Sequence, residues 1–276
     1  MRPLVGALKS GIKLPHSKEI MKLARIKHSS LNEPRFAVIQ GEQVYPFDHG
    51  EWFDVAGETK HRNVLPFNEI QLLAPVAPSK IVCVGRNYVE HAAELGNKMP
   101  DEPLLFLKAP SAIIGSGDSI VLPRESQKVE HEGELGIVIG KRAHNVTDDQ
   151  DALEYVLGYT CVNDVTARDL QRKDVQFTRA KSFDTFCPVG PWIVTGIEPA
   201  SVTVTTRVNG TVKQQGKTAD MTFDVPFLIR YISRIMTLNP GDLIATGTPA
   251  GVSQLQPGDV VEVEVDAVGT LRNPVS

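Results

Sequence analysis

The order in which short apolar segments follow one another constrains this chain's fold more than any other feature. Strand-like runs outnumber helical ones, and they arrive as neighbours separated by turns. The strict strand–helix alternation that builds a parallel sheet is missing. Asn209-Gly210, after the alternating run 202–208, is the clearest hairpin signal, because both residues tolerate the left-handed backbone of a two-residue turn. Gly41-Glu42-Gln43 marks another turn, between Arg35-Phe36-Ala37-Val38-Ile39 and Val44-Tyr45. Lys80 to Gly85, Ser119 to Pro123, Glu134 to Ile139, Tyr159 to Asp164 and Val260 to Val265 read as further strands.

Helices are expected in three places. One is short, lies within Arg86 to Leu95 and ends at Gly96. One follows the capping-box pattern Thr147-Asp148-Asp149-Gln150, with Leu153, Val156 and Leu157 on a face and Gly158 as its cap. One starts at Asp224-Val225-Pro226 and aligns Leu228, Ile232, Ile235 and Met236. The whole pattern predicts an α+β fold, mostly β, around an antiparallel or mixed sheet.

The Pro-punctuated stretch Ala74-Pro75-Val76-Ala77-Pro78-Ser79 reads as a connection. It divides a small N-terminal β-rich domain over 21–76 from a main domain over 77–276. Residues 1–20 carry Arg2, Lys9, Lys13 and Lys18, no acid before Glu19 and no long apolar run. They are expected to form a flexible N-terminal extension.

Composition narrows the function classes. A net charge of −4 without Lys/Arg runs gives no footprint for nucleic acid or for an anionic membrane, so neither partner is expected. Three cysteines, an odd number with no CxxC pair, read as buried reduced thiols of a cytoplasmic protein.

Glu132-Gly133-Glu134 heads the apolar strand, and residues i and i+2 of a strand share a face. Their Cα atoms are then roughly 7 Å apart. Gly133 leaves the opposite face open to close approach. Two like charges on one face raise each other's pKa unless something positive sits between them. Asp164, ending the next apolar strand, is the natural third group. Three carboxylates without Cys or His select a hard cation such as Mg²⁺, Mn²⁺ or Ca²⁺. For a bare Glu-x-Glu, solvated surface acids are the commoner explanation, and spacing alone does not decide.

Other residues have chemical and plain readings side by side. His91 and Glu94 stand i,i+3 on a short helix, the arrangement of a general base, and also of an ordinary surface pair. The polar segment Gly96 to Asp101 suits a lid over the site. Lys181 suits a substrate carboxylate or oxyanion, or a salt bridge to Asp184 or another acid. Arg168 and Gln171 follow Asp164 by four and seven residues. On a helix they share a side, or they pair with Asp169 or Asp174. Thr246 to Gly251 is a small-residue loop able to present Thr248 and backbone N–H groups to an anion, or simply a turn.

Taken in order, these segments resemble the fumarylacetoacetate hydrolase family. The matching stretches are Gly85-Arg86-Asn87-Tyr88 with His91 and Glu94, Glu132-Gly133-Glu134-Leu135, and Asn163-Asp164-Val165-Thr166-Ala167-Arg168-Asp169. Lys181-Ser182-Phe183, Cys187-Pro188 and Gly241-Asp242-Leu243-Ile244 with Thr246-Gly247-Thr248-Pro249 complete them. The resemblance implies a layered mixed β-roll with few helices, assembled as a homodimer. It implies Mg²⁺ or Mn²⁺ held by Glu132, Glu134 and Asp164, catalysis by His91, Glu94 and Lys181, and substrate contacts from Arg86, Gln171, Lys181 and Thr248.

Members nearest in pattern resemble acylpyruvases and oxaloacetate decarboxylases. The expected function is hydrolysis of a C–C bond in a small 2,4-dioxo acid, through a metal-stabilised pyruvate enolate. Alternatives are decarboxylation of an oxaloacetate-type 2-oxo acid and isomerisation of a 2-oxo-enedioate. The unit before Lys80 departs from the shorter acylpyruvase pattern. A two-metal nuclease or phosphatase is disfavoured by the absent basic signature and the absence of a phosphate-cradling loop. A non-catalytic protein is disfavoured by the co-occurrence of Glu132, Glu134, Asp164, His91, Glu94 and Lys181.

Overall fold

The structure is a computed structural model and describes residues 20–47 and 64–276. Apart from Ile20, the expected extension over 1–20 lies outside the described residues. Five strands come first: β1 (Lys22–Lys27), β2 (Arg35–Gln40), β3 (Gln43–Pro46), β4 (Leu65–Pro66) and β5 (Gln71–Leu73). The expected turn closes β2 onto β3, with Gly41 at φ 59°. Next come β6 (Ile81–Gly85), α1 (Val89–Glu94), β7 (Leu104–Lys108), β8 (Ile113–Ile114), β9 (Val129–Glu130) and β10 (Gly133–Ile139). They are followed by β11 (Val156–Asn163), β12 (Thr166–Ala167), α2 (Arg168–Lys173), α3 (Thr178–Lys181) and β13 (Cys187–Val194). The chain ends with β14 (Thr203–Val208), β15 (Thr211–Lys217), α4 (Val225–Ile235), β16 (Leu243–Ala245), β17 (Val260–Val265) and β18 (Gly269–Pro274).

A mixed sheet of 12 strands dominates, in the order β4-β3-β2-β1-β13-β11-β10-β16-β6-β7, with β5 on β1 and β8 on β13. Its ladders are antiparallel except β16–β6 and β13–β8. The N-terminal strands belong to this same sheet, because β1 pairs with β13. A four-stranded antiparallel sheet, β15-β14-β17-β18, forms a second layer. The Asn209-Gly210 turn joins β14 to β15, with φ values of 51° and 77°.

Burial explains the patterning of the strands. All residues of β10 and β11 are buried, so these strands are covered on both faces and read as continuous apolar runs. β17 alternates instead, turning Val261, Val263 and Val265 inward and leaving Glu262 and Glu264 half-buried. The core between the layers joins Leu135 and Ile137 of β10 to Val204, Val263 and Leu271 of the smaller sheet. Each such side chain contributes about 2 kcal/mol on burial. The helix α4 closes one end of that core with Leu228, Ile229 and Ile232. It is capped by the Asp224 carboxylate, which accepts from Phe227 N at 2.8 Å.

The structure corrects several expectations. After Thr147–Gln150 there is no α-helix, only a 3₁₀ turn over Ala152–Tyr155, whose cap is Asp151. Val156 and Leu157 open β11, and Gly158 lies inside that strand, where a Cβ would meet Val194 O at 2.4 Å. The ladder to β10 outweighs the local helical pattern. Ser119 to Pro123 is not a strand, and Ile120 makes only an isolated bridge to Val275. The first helix is confined to Val89–Glu94. Ile235 leaves the apolar side of α4 and is 57% exposed. No described helix is long and apolar enough to cross a membrane.

Candidate metal and substrate site

Sheet register assembles the acidic cluster. Gly133 pairs with Asn163 across β10 and β11, so Asp164, the next residue, lies beside Glu132 and donates its N–H to Glu132 O at 2.8 Å. Glu132 and Glu134 flank Gly133 and face the same side. A carboxylate oxygen from each of Glu132, Glu134 and Asp164 lies within 4.8 Å of the others, and all three residues are buried. The side opposite is filled by the second sheet: a Cβ on Gly133 would fall 2.0 Å from Thr206 Oγ1. The glycine between the acids is therefore required by the approach of β14.

Buried carboxylates need counter-charges. Lys181 Nζ donates to Glu132 Oε2 and to Asp164 Oδ2, both at 2.6 Å. Lys108 Nζ donates to Asp164 Oδ1 at 2.6 Å and to Val165 O at 3.2 Å. Arg168 donates to Glu132 Oε1 and, through Nε, to Glu130 Oε2 at 2.6 Å. Lys181 thus pairs with the cluster and not with Asp184, while Arg168 turns to Glu130 and Glu132 and not to Asp169 or Asp174. Among the described residues Glu134 has no cationic partner; its carboxylate accepts from Gly247 N at 2.8 Å.

Titration follows from this asymmetry. Burial pushes the Glu134 carboxyl well above its ordinary range, and the neighbouring Asp164 and Glu132 charges push it further. Burial alone would raise Glu132 too, but Lys181, Arg168 and His91 outweigh it and hold that carboxyl well below the usual range. Burial would lower the Lys181 ammonium, yet Asp164 and Glu132 raise it. One carboxylate in three lacks a counter-charge, and the set is all oxygen. That donor chemistry fits a hard divalent cation.

A cavity of about 240 Å³ opens onto the triad, and Lys181, Gln171 and Thr248 border it. His91 borders it as well. Its Nδ1 stands 3.3 Å from Glu94 Oε2, and Glu94 is held by Gly251 N–H at 3.1 and 3.2 Å. The His91–Glu94 pair is therefore fixed from the far side by the loop that carries Thr248. Gln171 accepts from Arg168, so it is anchored to the cluster through that guanidinium. Arg86 also faces the cavity, from a left-handed backbone at φ 57° that places it just past the end of β6. Every residue expected at the site except Glu94 borders the cavity, and Glu94 reaches it through His91.

Sequence reasoning missed two charged residues here. Lys108 ends the apolar run Leu104-Leu105-Phe106-Leu107 and looks like an ordinary strand terminus, yet its side chain is fully buried. Arg172 stands one turn after Arg168 on α2 and borders the cavity from its exposed rim. Among the described residues, neither Arg86 nor Arg172 has an acidic partner, so both leave positive charge toward the cavity. Asn97, from the polar segment after α1, borders it too.

Comparison with known proteins places this geometry. Residues 80–276 match the family model described as Fumarylacetoacetate (FAA) hydrolase C-terminal, and residues 21–75 match one described as Rv2993c-like, N-terminal. The chain is 42% identical to the oxaloacetate tautomerase YisK of Bacillus subtilis, over 82% of this chain and 79% of that protein. A solved structure of 2-hydroxyhepta-2,4-diene-1,7-dioate isomerase from Mycobacterium marinum is 43% identical with a TM-score of 0.83, covering 92% of this chain and 98% of its own. Maleylpyruvate hydrolase from Sphingobium sp. SYK-6, solved with manganese (II) and pyruvate, is 32% identical with a TM-score of 0.74 at the same coverages.

Proposed function

The chain belongs to the fumarylacetoacetate hydrolase family, and from that footing we propose that it interconverts the keto and enol forms of a small 2-oxo dicarboxylic acid of the oxaloacetate type. One observation carries this reading. A His–Glu pair and two arginines without acidic partners among the described residues border the same cavity as the carboxylate triad. The arginines suit a second carboxylate on the substrate, and the imidazole suits proton transfer next to a carbonyl.

Glu132, Glu134 and Asp164 would hold Mg²⁺ or Mn²⁺, which when bound supplies Lewis acidity to the substrate's 2-oxo oxygen and adjoining carboxylate. Glu94 orients His91 through Nδ1, leaving Nε2 to exchange a proton. The C3 proton passes to His91 Nε2 as the C3–H bond breaks, and His91 returns it to the C2 oxygen as the O–H bond forms, with no water consumed. Lys181 contributes fixed positive charge where negative charge develops on the oxygen. Arg86 and Arg172 hold the distal carboxylate and so align C3 with the base.

A second reading is hydrolysis of a C–C bond in a 2,4-dioxo acid. It is favoured by the same His91–Glu94 pair, which can take a proton from water as readily as from carbon, and by similarity to a maleylpyruvate hydrolase. Both are tested together by adding oxaloacetate or an acylpyruvate to protein with Mg²⁺, Mn²⁺ or chelator. Enol absorbance and pyruvate release are followed. Faster relaxation of the oxaloacetate enol without pyruvate supports tautomerisation. Pyruvate from the acylpyruvate supports hydrolysis, and pyruvate from oxaloacetate indicates decarboxylation. No metal-dependent effect on either compound would sink both readings.

A further inference from the structure

Behind the site lies a polar network that the reaction above does not use. The Gln214 side chain, buried on β15, meets four partners. Its Oε1 accepts from Gly133 N at 3.1 Å and stands 2.9 Å from His131 Nδ1. Its Nε2 donates to Pro249 O at 2.6 Å and to Thr248 Oγ1 at 2.7 Å. Two of these partners are backbone groups of unambiguous polarity, a peptide N–H and a peptide carbonyl. They fix which way the amide points, since a flipped amide would set oxygen against the Pro249 carbonyl and N–H against the Gly133 N–H.

That orientation propagates in both directions. His131 must carry its proton on Nδ1 to meet Oε1, so Nε2 accepts from Ser253 Oγ at 2.9 Å. On the other side, Thr248 Oγ1 receives an amide hydrogen from Gln214, so its own hydrogen goes to Gly133 O at 2.8 Å. A hydroxyl has one hydrogen and two lone pairs. At Thr248 the hydrogen and one lone pair are committed. Thr248 borders the cavity, and its hydroxyl keeps a single uncommitted lone pair.

We propose that Gln214 is a positioning residue that makes the Thr248 hydroxyl an acceptor only, so that the site selects ligands presenting a hydroxyl donor, the enol, over the keto form. The inference rests on the tautomerase reading of this cavity. A carboxylate or a carbonyl offers Thr248 Oγ1 no hydrogen, whereas an enol O–H does. The side chain therefore distinguishes the two forms of one molecule, which differ in where a single proton sits.

The test pairs two ligands of one carbon skeleton, L-malate with a hydroxyl and succinate without. Their dissociation constants are measured by calorimetry on the Mg²⁺-loaded protein and on Thr248→Val, Thr248→Ser and Gln214→Met. Thr248→Val should weaken malate roughly tenfold and leave succinate within about twofold, since one hydrogen bond to the hydroxyl is lost. Thr248→Ser should restore the preference, and Gln214→Met should reduce it. Equal weakening of both ligands by Thr248→Val would mean that Thr248 donates to a shared carboxylate, and would overturn the proposal. So would an unchanged preference in folded Thr248→Val or Gln214→Met. Oxaloacetate tautomerisation by the parent protein is followed in parallel. Its absence sinks the tautomerase reading, whereas turnover with an unaltered malate preference sinks only the Thr248 assignment.

Discussion

Lys108 and Asp164 meet at 2.6 Å in the interior, with side chains 0% and 1% exposed. The lysine comes from β7 at one edge of the large sheet, and the aspartate follows β11 in its middle. Removing one partner of a buried pair leaves an uncompensated charge. Lys108→Met should therefore lose about 3 kcal/mol in urea unfolding of the chelated protein, the low end of such effects, because Lys181 still neutralises Asp164 Oδ2. Added Mg²⁺ should recover part of the loss. A midpoint unaffected by Lys108→Met would contradict the pairing.

Gly133 and Thr206 give a packing test. Gly133→Ala places a methyl group where Thr206 Oγ1 sits and should cost about 1–3 kcal/mol or prevent folding. Among the described residues Thr206 Oγ1 has no hydrogen-bond partner, so Thr206→Ala alone should cost little. The double variant should be more stable than Gly133→Ala. Additive effects in that cycle would show that the two residues do not meet.

Glu134 sets a pH dependence. Its carboxyl titrates higher in the folded chain than in the unfolded one, so the folded state binds the extra proton. That contribution is present below the ordinary carboxylate range and is lost as pH rises through the folded value. Metal-free protein should lose stability through this group on going from acidic to neutral pH, and Glu134→Gln should remove that part of the slope. Glu132 acts with the opposite sign, its contribution being lost as pH falls below the ordinary range. Thermal scans across pH with chelator, for parent and Glu134→Gln, separate the two.

Kinetics should divide the cavity by role. His91→Gln should lower kcat by roughly 10²–10⁴, as for loss of a general base, and Glu94→Gln by less. Arg172→Ala should act mainly on KM for a dicarboxylate and leave a monocarboxylic 2-oxo acid nearly unaffected. A fall in kcat alone for Arg172→Ala would place the distal carboxylate elsewhere.

How much of this was legible in the sequence depended on the range of the interaction. The shared face of Glu132 and Glu134 follows from strand periodicity, and the His91–Glu94 pair from helical spacing, so local rules were enough. That Asp164 would stand beside them depends on Asn163 lying opposite Gly133, a register that no local pattern encodes. Lys108 was passed over because a lysine closing an apolar run looks solvated until a distant aspartate turns it inward. The helix expected around Leu153 to Leu157 failed for the same reason: β10 claims Val156 and Gly158 for its ladder, with Leu157 in the register shift between them. Gln214 carried no signal at all, since its four partners come from two stretches far from it in sequence, His131 with Gly133 and Thr248 with Pro249.

The pairing of Lys22 with Val194 and of Leu23 with Ile193 also bears on how this protein can be dismantled. A gene fragment beginning at residue 80 would follow the limits of the matched catalytic family, but it would strip β13 of a neighbour in mid-sheet. The bared rim would display peptide groups at Ile193 and Val194, an invitation to stick to other chains. The first strands thus act as a selvedge, keeping a wide woven sheet from fraying into its surroundings.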